Sequence, residues 1–361
     1  MKLRYKADAS SKVAAFVGVA LTSCLTVDIA RAADAYVGYR VTDVKTLPGK
    51  NPRWDHVSVD PVNRNLFIGR RALGVTVVNI DTGAVSSIPE TKGSNGAWAA
   101  PDLGIGLSDN GTNADVTVFD LKTLQVKAHI KVPKETDGVW YDPATKMGYV
   151  NNGDDGSITL FDPVSLKVGE TIALNSKKPE FSDVDGKGRA FVALQDKNQI
   201  AVVDLKAKKL AATWNVDCIQ PTGMLYEPAS DRLFVPCRGA KPVMAIVDAT
   251  TGKTVATLPI GFNVDAVSFN PLEKLVLTSN GASATMSVYK QDDKDTYHLV
   301  ETVATRLNAR TMAVDPKTGK AFTVTAESVA PAAPGGKGKA PPVKWISDSF
   351  QVITMERKNI D

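Results

Sequence analysis

One phrase recurs down this chain, and its spacing limits the possible folds more than any other feature. Its fullest form is VTVFDLKTLQVKAHI, residues 116–130: an alternating strand ending on Asp120, a polar turn, and a second strand running to Ile130. Further copies begin at Val75, Ile158, Ile200 and Met244, with two degenerate ones at Met286 and Phe350. The pivots Asn79, Asp120, Asp162, Asp204, Asp248 and Lys290 return at a period of roughly 40–45 residues, that of four-stranded units stacked around an axis. Seven copies make one object, so the fold expected is an all-β, seven-bladed propeller.

The other strands of each unit are legible too. An inner strand precedes each phrase in DHVSVDP (55–61), DGVWYDP (137–143), EFSDVDG (180–186), TGMLYEP (222–228), DAVSFNP (265–271) and RTMAVDP (310–316). An apolar strand such as LFIG (66–69) or AFVAL (190–194) follows, across a turn rich in Gly, Asn, Lys or Arg. Blades therefore run from Trp54 to Ile88, Asn95 to Ile130, Asp137 to Ile172, Glu180 to Trp214, Thr222 to Ile260 and Asp265 to Val303. The seventh starts at Arg310 and lacks an outer strand, while Tyr36–Leu47 is an outer strand with no blade before it. Pairing the two closes the ring and removes the exposed edges. The single domain then spans 36–358. The Pro/Gly/Lys-rich stretch 329–344 interrupts the last blade as a flexible loop, a tolerated insertion or a lid over one face.

Residues 1–32 read as a signal peptide. Lys2, Arg4, Lys6 and Lys12 precede the apolar run 13–27, and Ala30-Arg31-Ala32 before Ala33 offers a small-x-small cleavage site. Leu21-Thr22-Ser23-Cys24 also resembles a lipobox, which would leave the protein anchored at Cys24. Both readings export the chain to the periplasm or beyond, and no run in the mature part is long enough for a membrane helix. The formal charge of +4 resides largely in this segment, so the remainder is near neutral and nucleic acid is disfavoured as a partner. In an oxidising compartment Cys218 and Cys237 form a disulfide, brought together by a hairpin turning near Pro228–Arg232.

Repeated Asp60, Asp142, Asp185, Glu227 and Asp315 cap their own turns. Chemistry belongs where the repeats disagree, at the mouth of the central channel. The lead-ins to the inner strands bring Asp55, His56, Asn95, Asp137, Glu180, Thr222, Asp265 and Arg310 there. Loops between second and third strands bring Arg70 and Arg71, Asp109 and Asn110, Asn151 and Asn152, Gln195 and Asp196, Arg238 and Asn280. Four carboxylates facing one axis repel one another unless a cation answers them. Three answers stand open: an arginine network; a Ca²⁺ ion on Asp55, Asp137, Glu180 and Asp265; or a small polar or anionic ligand clamped by Arg70, Arg238 and Arg310, with Asn152 and Asn280 nearby. Catalytic signatures are scarce, since His129 and His298 fall outside the rim and there is no CxxCH, GxSxG or Walker loop. An enzyme built here would be a metal-assisted hydrolase, lactonase or lyase with His56 or a rim carboxylate as base.

The blade phrase of strand, Asp, turn and Gly-Lys-x-Val resembles the YVTN/YncE-like β-propeller repeat family of exported bacterial proteins. TVFDLKTLQV, ITLFDP and VDATTGKTVATLPIG (247–261) carry the match across nearly all of the mature chain. The phrases KPEF (178–181), PTGM (221–224), GFNVDAVSFNP (261–271) and NARTMAVDPKTGK (308–320) look like one exported subgroup. The resemblance implies a seven-bladed ring in a monomer that binds a ligand or a protein partner, and no common reaction. Architectural similarity to gluconolactonase/regucalcin-type propellers suggests the Ca²⁺, although none of that family's motifs matches here residue by residue.

Overall fold

The structure, a computed structural model, describes residues 36–50, 52–153, 155–329 and 343–360. The signal-peptide and lipobox readings lie outside the described residues, as does most of the insertion.

Seven four-stranded antiparallel sheets follow one another along the chain. The first holds Val57–Asp60, Asn65–Gly69, Val75–Asn79 and Val85–Ile88, in that order from the inside outwards. The last is assembled from both ends: Met312–Val314, Ala321–Thr325 and Phe350–Ile360 are completed by Tyr36–Leu47. That closing pair runs antiparallel from Tyr36 opposite Ile360 to Leu47 opposite Phe350. Inner strands of successive blades touch all the way round, and blade seven returns to blade one. The chain is thus a seven-bladed β-propeller, fastened by its amino-terminal strand.

Period-two patterning explains why the sheets stack. Inner three strands are apolar on both faces because a neighbouring blade covers each side, whereas outer strands such as Lys209–Asn215 alternate exposed and half-buried positions. Phe191, Ile200 and Val202 of blade four pack with Leu233, Val235 and Val247 of blade five, and Leu66, Ile68 and Val78 of blade one with Phe322 and Val352 of blade seven. Each such side chain, fully buried, contributes about 1.5–3 kcal/mol. Two glycines are demanded by this packing. Gly106 lies opposite Phe119 and Gly148 opposite Phe161, and a Cβ on either would collide with the ring. A bulge recurs between third and fourth strands at Val118/Phe119, Val202/Val203, Ile246/Val247 and Val288/Tyr289, bending the outer strand.

The turn acids behave as their repetition suggested. Asp120 Oδ1 accepts from the backbone N–H of Lys122 and Thr123, and Asp162, Asp204 and Asp248 do the same two and three residues on. Asp60 accepts from Val62 and Asn63, and Asp315 from Lys317. Cys218 and Cys237 are joined, their Cα atoms 6.0 Å apart, with Pro221 bridged to Cys237 alongside. The disulfide fits an oxidising compartment. Among the described residues no helix is long and apolar enough to cross a membrane.

Candidate functional site

The lead-ins to inner strands meet at one mouth of the channel around a cavity of about 310 Å³. Asp55 and His56 arrive just before Val57–Asp60, Asp137 within Thr136–Asp142, Glu180 within Pro179–Val184, Asp265 within Val264–Asn270, and Arg310 just before Met312–Val314. All six line that cavity, as does Arg238. Because the residues come from different blades, the ring geometry alone brings them together.

Three of the four carboxylates are answered. Asp265 is clasped by two guanidiniums: Arg310 Nε donates to Oδ2 at 2.6 Å, and Arg238 pairs with Oδ1. Thr222 Oγ1 adds a hydrogen bond at 3.1 Å. Burial would push the Asp265 carboxyl up, but Arg238 and Arg310 outweigh it and hold the group below its usual range. Asp55 pairs with Arg71, and Glu180 Oε1 lies 2.9 Å from Lys178 Nζ. Burial still leaves Glu180 above its ordinary value despite Lys178.

Asp137 is different. Among the described residues its carboxylate has no hydrogen-bond or ion-pair partner, although it faces the cavity. Burial, and then the charge of Asp55, raise its pKa. Beside it, His56 Nε2 lies 3.1 Å from the Asp137 backbone carbonyl. A carbonyl only accepts, so Nε2 carries the hydrogen. His56 Nδ1 is buried with no partner among the described residues. The ring stands edge-on to Phe181, with centroids 4.4 Å apart. Burial disfavours the imidazolium, yet Asp55, Asp137, Asp109 and Asp265 together raise the pKa above its ordinary value. Deeper still, Asp109 accepts from Asn95 Nδ2 at 2.8 Å and from the Gly96 N–H at 3.0 Å, and burial pushes it up to about 7.

No protein-family model matches the sequence, and no curated protein matches it. Solved structures do. A chain of Kuenenia stuttgartiensis hydrazine synthase superposes with a TM-score of 0.68 at 16% identity, over 88% of this chain and 99% of that one. The RRP9 WD40 repeats give 0.71 at 10% identity, over 89% and 100%, and a chain of the mitotic checkpoint complex gives 0.69 at 16%, over 87% and 96%. The likeness is one of fold. The chain is a WD40-like seven-bladed propeller, and at these identities nothing of those proteins' chemistry transfers.

Other rim candidates lie elsewhere in the propeller. Arg70 is 3% exposed and folds away from the cavity, its Nη1 donating to the Pro48 carbonyl at 3.1 Å and its guanidinium 4.2 Å above the Phe350 ring. Its neighbour Arg71 takes the place at the rim, since adjacent residues leaving a strand point to opposite sides. Asn152 and Asn280 are buried in their own hairpins: Asn152 Nδ2 bonds Ser157 and Thr159, and Asn280 Nδ2 bonds Thr285 and Ser287. Asn110 does the same with Asp115 and Thr117. A device repeated in three blades is architectural. The four rim carboxylates line one cavity without gathering into a cage, and among the described residues no group of three or more His, Cys, Asp or Glu is placed to hold a metal ion. Lys178 also lines the cavity, a rim residue signalled in the sequence only by its place two positions before Glu180.

Proposed function

We propose that this propeller is an exported, periplasmic binding protein of the YVTN/YncE-like type, whose channel mouth takes a small polar molecule. The ligand presents a hydroxyl or ammonium to Asp137 and an anionic group to the arginine and lysine edges. The observation that carries this reading is the isolation of Asp137. In a cavity where every neighbouring carboxylate has a cation, one half-buried carboxylate is left, among the described residues, without a protein partner, and a partly desolvated charge of this kind favours a ligand that brings a donor to it. A volume of about 310 Å³ suits a compact metabolite, at the lower end of ligand sites. The disulfide agrees with export.

The test is calorimetric titration of the mature chain with hydroxycarboxylates and amino acids, repeated with Asp137→Asn. Binding that the substitution weakens about tenfold or more supports the reading, since hydrogen bonds to charged groups are of that strength. No binding across the panel, or binding indifferent to Asp137→Asn, overturns it. Melting with Ca²⁺ and with EDTA runs alongside. A stoichiometric ion whose removal lowers Tm would replace this reading with the metal-assisted hydrolase or lactonase.

A further inference from the structure

Beside the mouth lies a second hollow of about 310 Å³, and Arg71 and Arg310 form the wall between the two. The chemistry of the second is different. It is lined by Arg53, Arg71, Arg310, Trp54, Trp345 and Val343, with no acidic side chain among them. Trp54 and Trp345 meet edge to face with centroids 4.9 Å apart at 66°, making an apolar corner. Trp54 is anchored: it is 2% exposed, packs edge-on against Phe350 at 5.7 Å, and carries the Arg310 guanidinium 5.4 Å from its ring centre. Its Nε1 is buried without a partner among the described residues.

Trp345 is held just as deliberately. It bridges Ser328 in antiparallel fashion, and the neck is closed by Val329 N–H to Lys344 O at 3.0 Å and Ile346 N–H to Glu327 O at 2.8 Å. The neck of the insertion in blade seven is therefore a built feature that sets an indole over the hollow. The charge count then decides the ligand. Arg71 and Arg310 are already met by Asp55 and Asp265 on the other side of the wall, whereas Arg53 is exposed and has no ion pair or hydrogen bond among the described residues. Among the described lining residues one positive charge is left unanswered, next to the half-buried Trp345 with the edge of the buried Trp54 behind it.

We propose that this hollow is a binding subsite for a planar aromatic monoanion, an aromatic carboxylate. The ring lies in the corner of Trp54 and Trp345, where aromatic pairing favours it, and the carboxylate is forked by Arg53 with Arg71 beside it. A doubly charged phosphate exceeds the single unanswered charge, and a neutral ring forgoes it. The proposal rests on the mouth being a ligand face and extends it: the subsite takes the aromatic end of a ligand, or a separate aromatic acid.

The experiment is a titration of the full mature chain with 4-hydroxybenzoate and indole-3-acetate, followed by tryptophan fluorescence and calorimetry. Benzyl alcohol, acetate and inorganic phosphate serve as comparators. The aromatic carboxylates should bind at least tenfold more tightly than any comparator, and Arg53→Gln and Trp345→Ala should each weaken them about tenfold. Arg53 is exposed and unpaired, so its variant folds normally and carries the test even if Trp345→Ala perturbs the neck. Asp137→Asn should leave aromatic-acid binding within about twofold, which separates this subsite from the polar cavity. Aromatic acids binding no better than benzyl alcohol or phosphate, or binding unchanged in Arg53→Gln, would overturn it. Aromatic-acid binding in a protein that takes none of the hydroxycarboxylates or amino acids would keep the subsite and remove the reading of the main cavity.

Discussion

Acidic residues recur at both ends of the inner strands, as in Asp55 and Asp60, Asp137 and Asp142, and Glu180 and Asp185, and the two sets are handled in opposite ways. At the far end Asp60, Asp142, Asp185, Glu227 and Asp315 all accept hydrogen bonds within their own turns, and Asp315 adds a cross-blade ion pair with Arg64 at 2.9 Å. Asp60 takes the N–H groups of Val62 and Asn63 at 2.9 and 3.2 Å, and Glu227 those of Ala229 and Ser230 at 2.9 and 2.7 Å. At the mouth, Asp265 depends on Arg238 and Arg310 from neighbouring blades, and Asp137 on no partner among the described residues. The same residue type is thus chiefly local turn chemistry at one end and long-range electrostatics at the other. Repetition marks the first and its failure marks the second.

The contrast is broken most forcefully at Asp265. Asp265→Ala leaves two guanidiniums facing each other in a largely buried site, and should cost about 3–5 kcal/mol in urea unfolding. Asp60→Ala removes one local cap whose freed N–H groups sit in a surface turn that water can reach. About 1–2 kcal/mol is expected there. Equal losses at the two ends would mean that the cross-blade clasp is no more than another turn cap. Joint replacement of Asp265, Arg238 and Arg310 by apolar residues should recover much of the stability lost in the single variant, because the penalty is that of unpaired charge.

The same division explains what the sequence made legible. A strand-turn-strand phrase acts within a dozen residues, so the blades, the closing strand, the turn acids and the Cys218–Cys237 hairpin could all be placed from spacing. Partners at the mouth are set by the ring and not by the chain: Arg310 lies 45 residues from Asp265, and Thr222 43 residues. No local rule says which cation answers which carboxylate, or that Asp137 is left over. Arg70 and Arg71 differ only in which side of the departing strand they take, a parity that the turn decides after the strand has ended. Asn152 and Asn280 were drawn to the rim by position, although their bonds five and seven residues on mark them as hairpin pins. The neck carrying Trp345 was concealed by the Pro/Gly/Lys composition around it, which reads as loop throughout although backbone bonds close its base.

The most gradual expected effect is a pH slope, and it probes the mouth from beneath. Folded Asp109 keeps its proton up to about 7, because burial outweighs the pull of His56 and the hydrogen bonds from Asn95 and Gly96. In the unfolded chain an aspartate loses its proton near 4. Between those values the folded state binds the extra proton, so this group's contribution to stability falls as pH rises from about 4 to about 7. The slope cannot exceed about 1.4 kcal/mol per pH unit, the one-proton limit. His56, raised by its surrounding carboxylates, adds a loss in the same direction as pH passes through its folded value, and Asp265, held low, acts only in acid, losing its contribution as pH falls through its folded pKa. Asp109→Asn should therefore flatten the interval between pH 4 and 6 in urea titrations while leaving the acid limb in place. An unchanged slope would place the excess proton on another raised carboxyl, Asp137, Glu180 or Asp183.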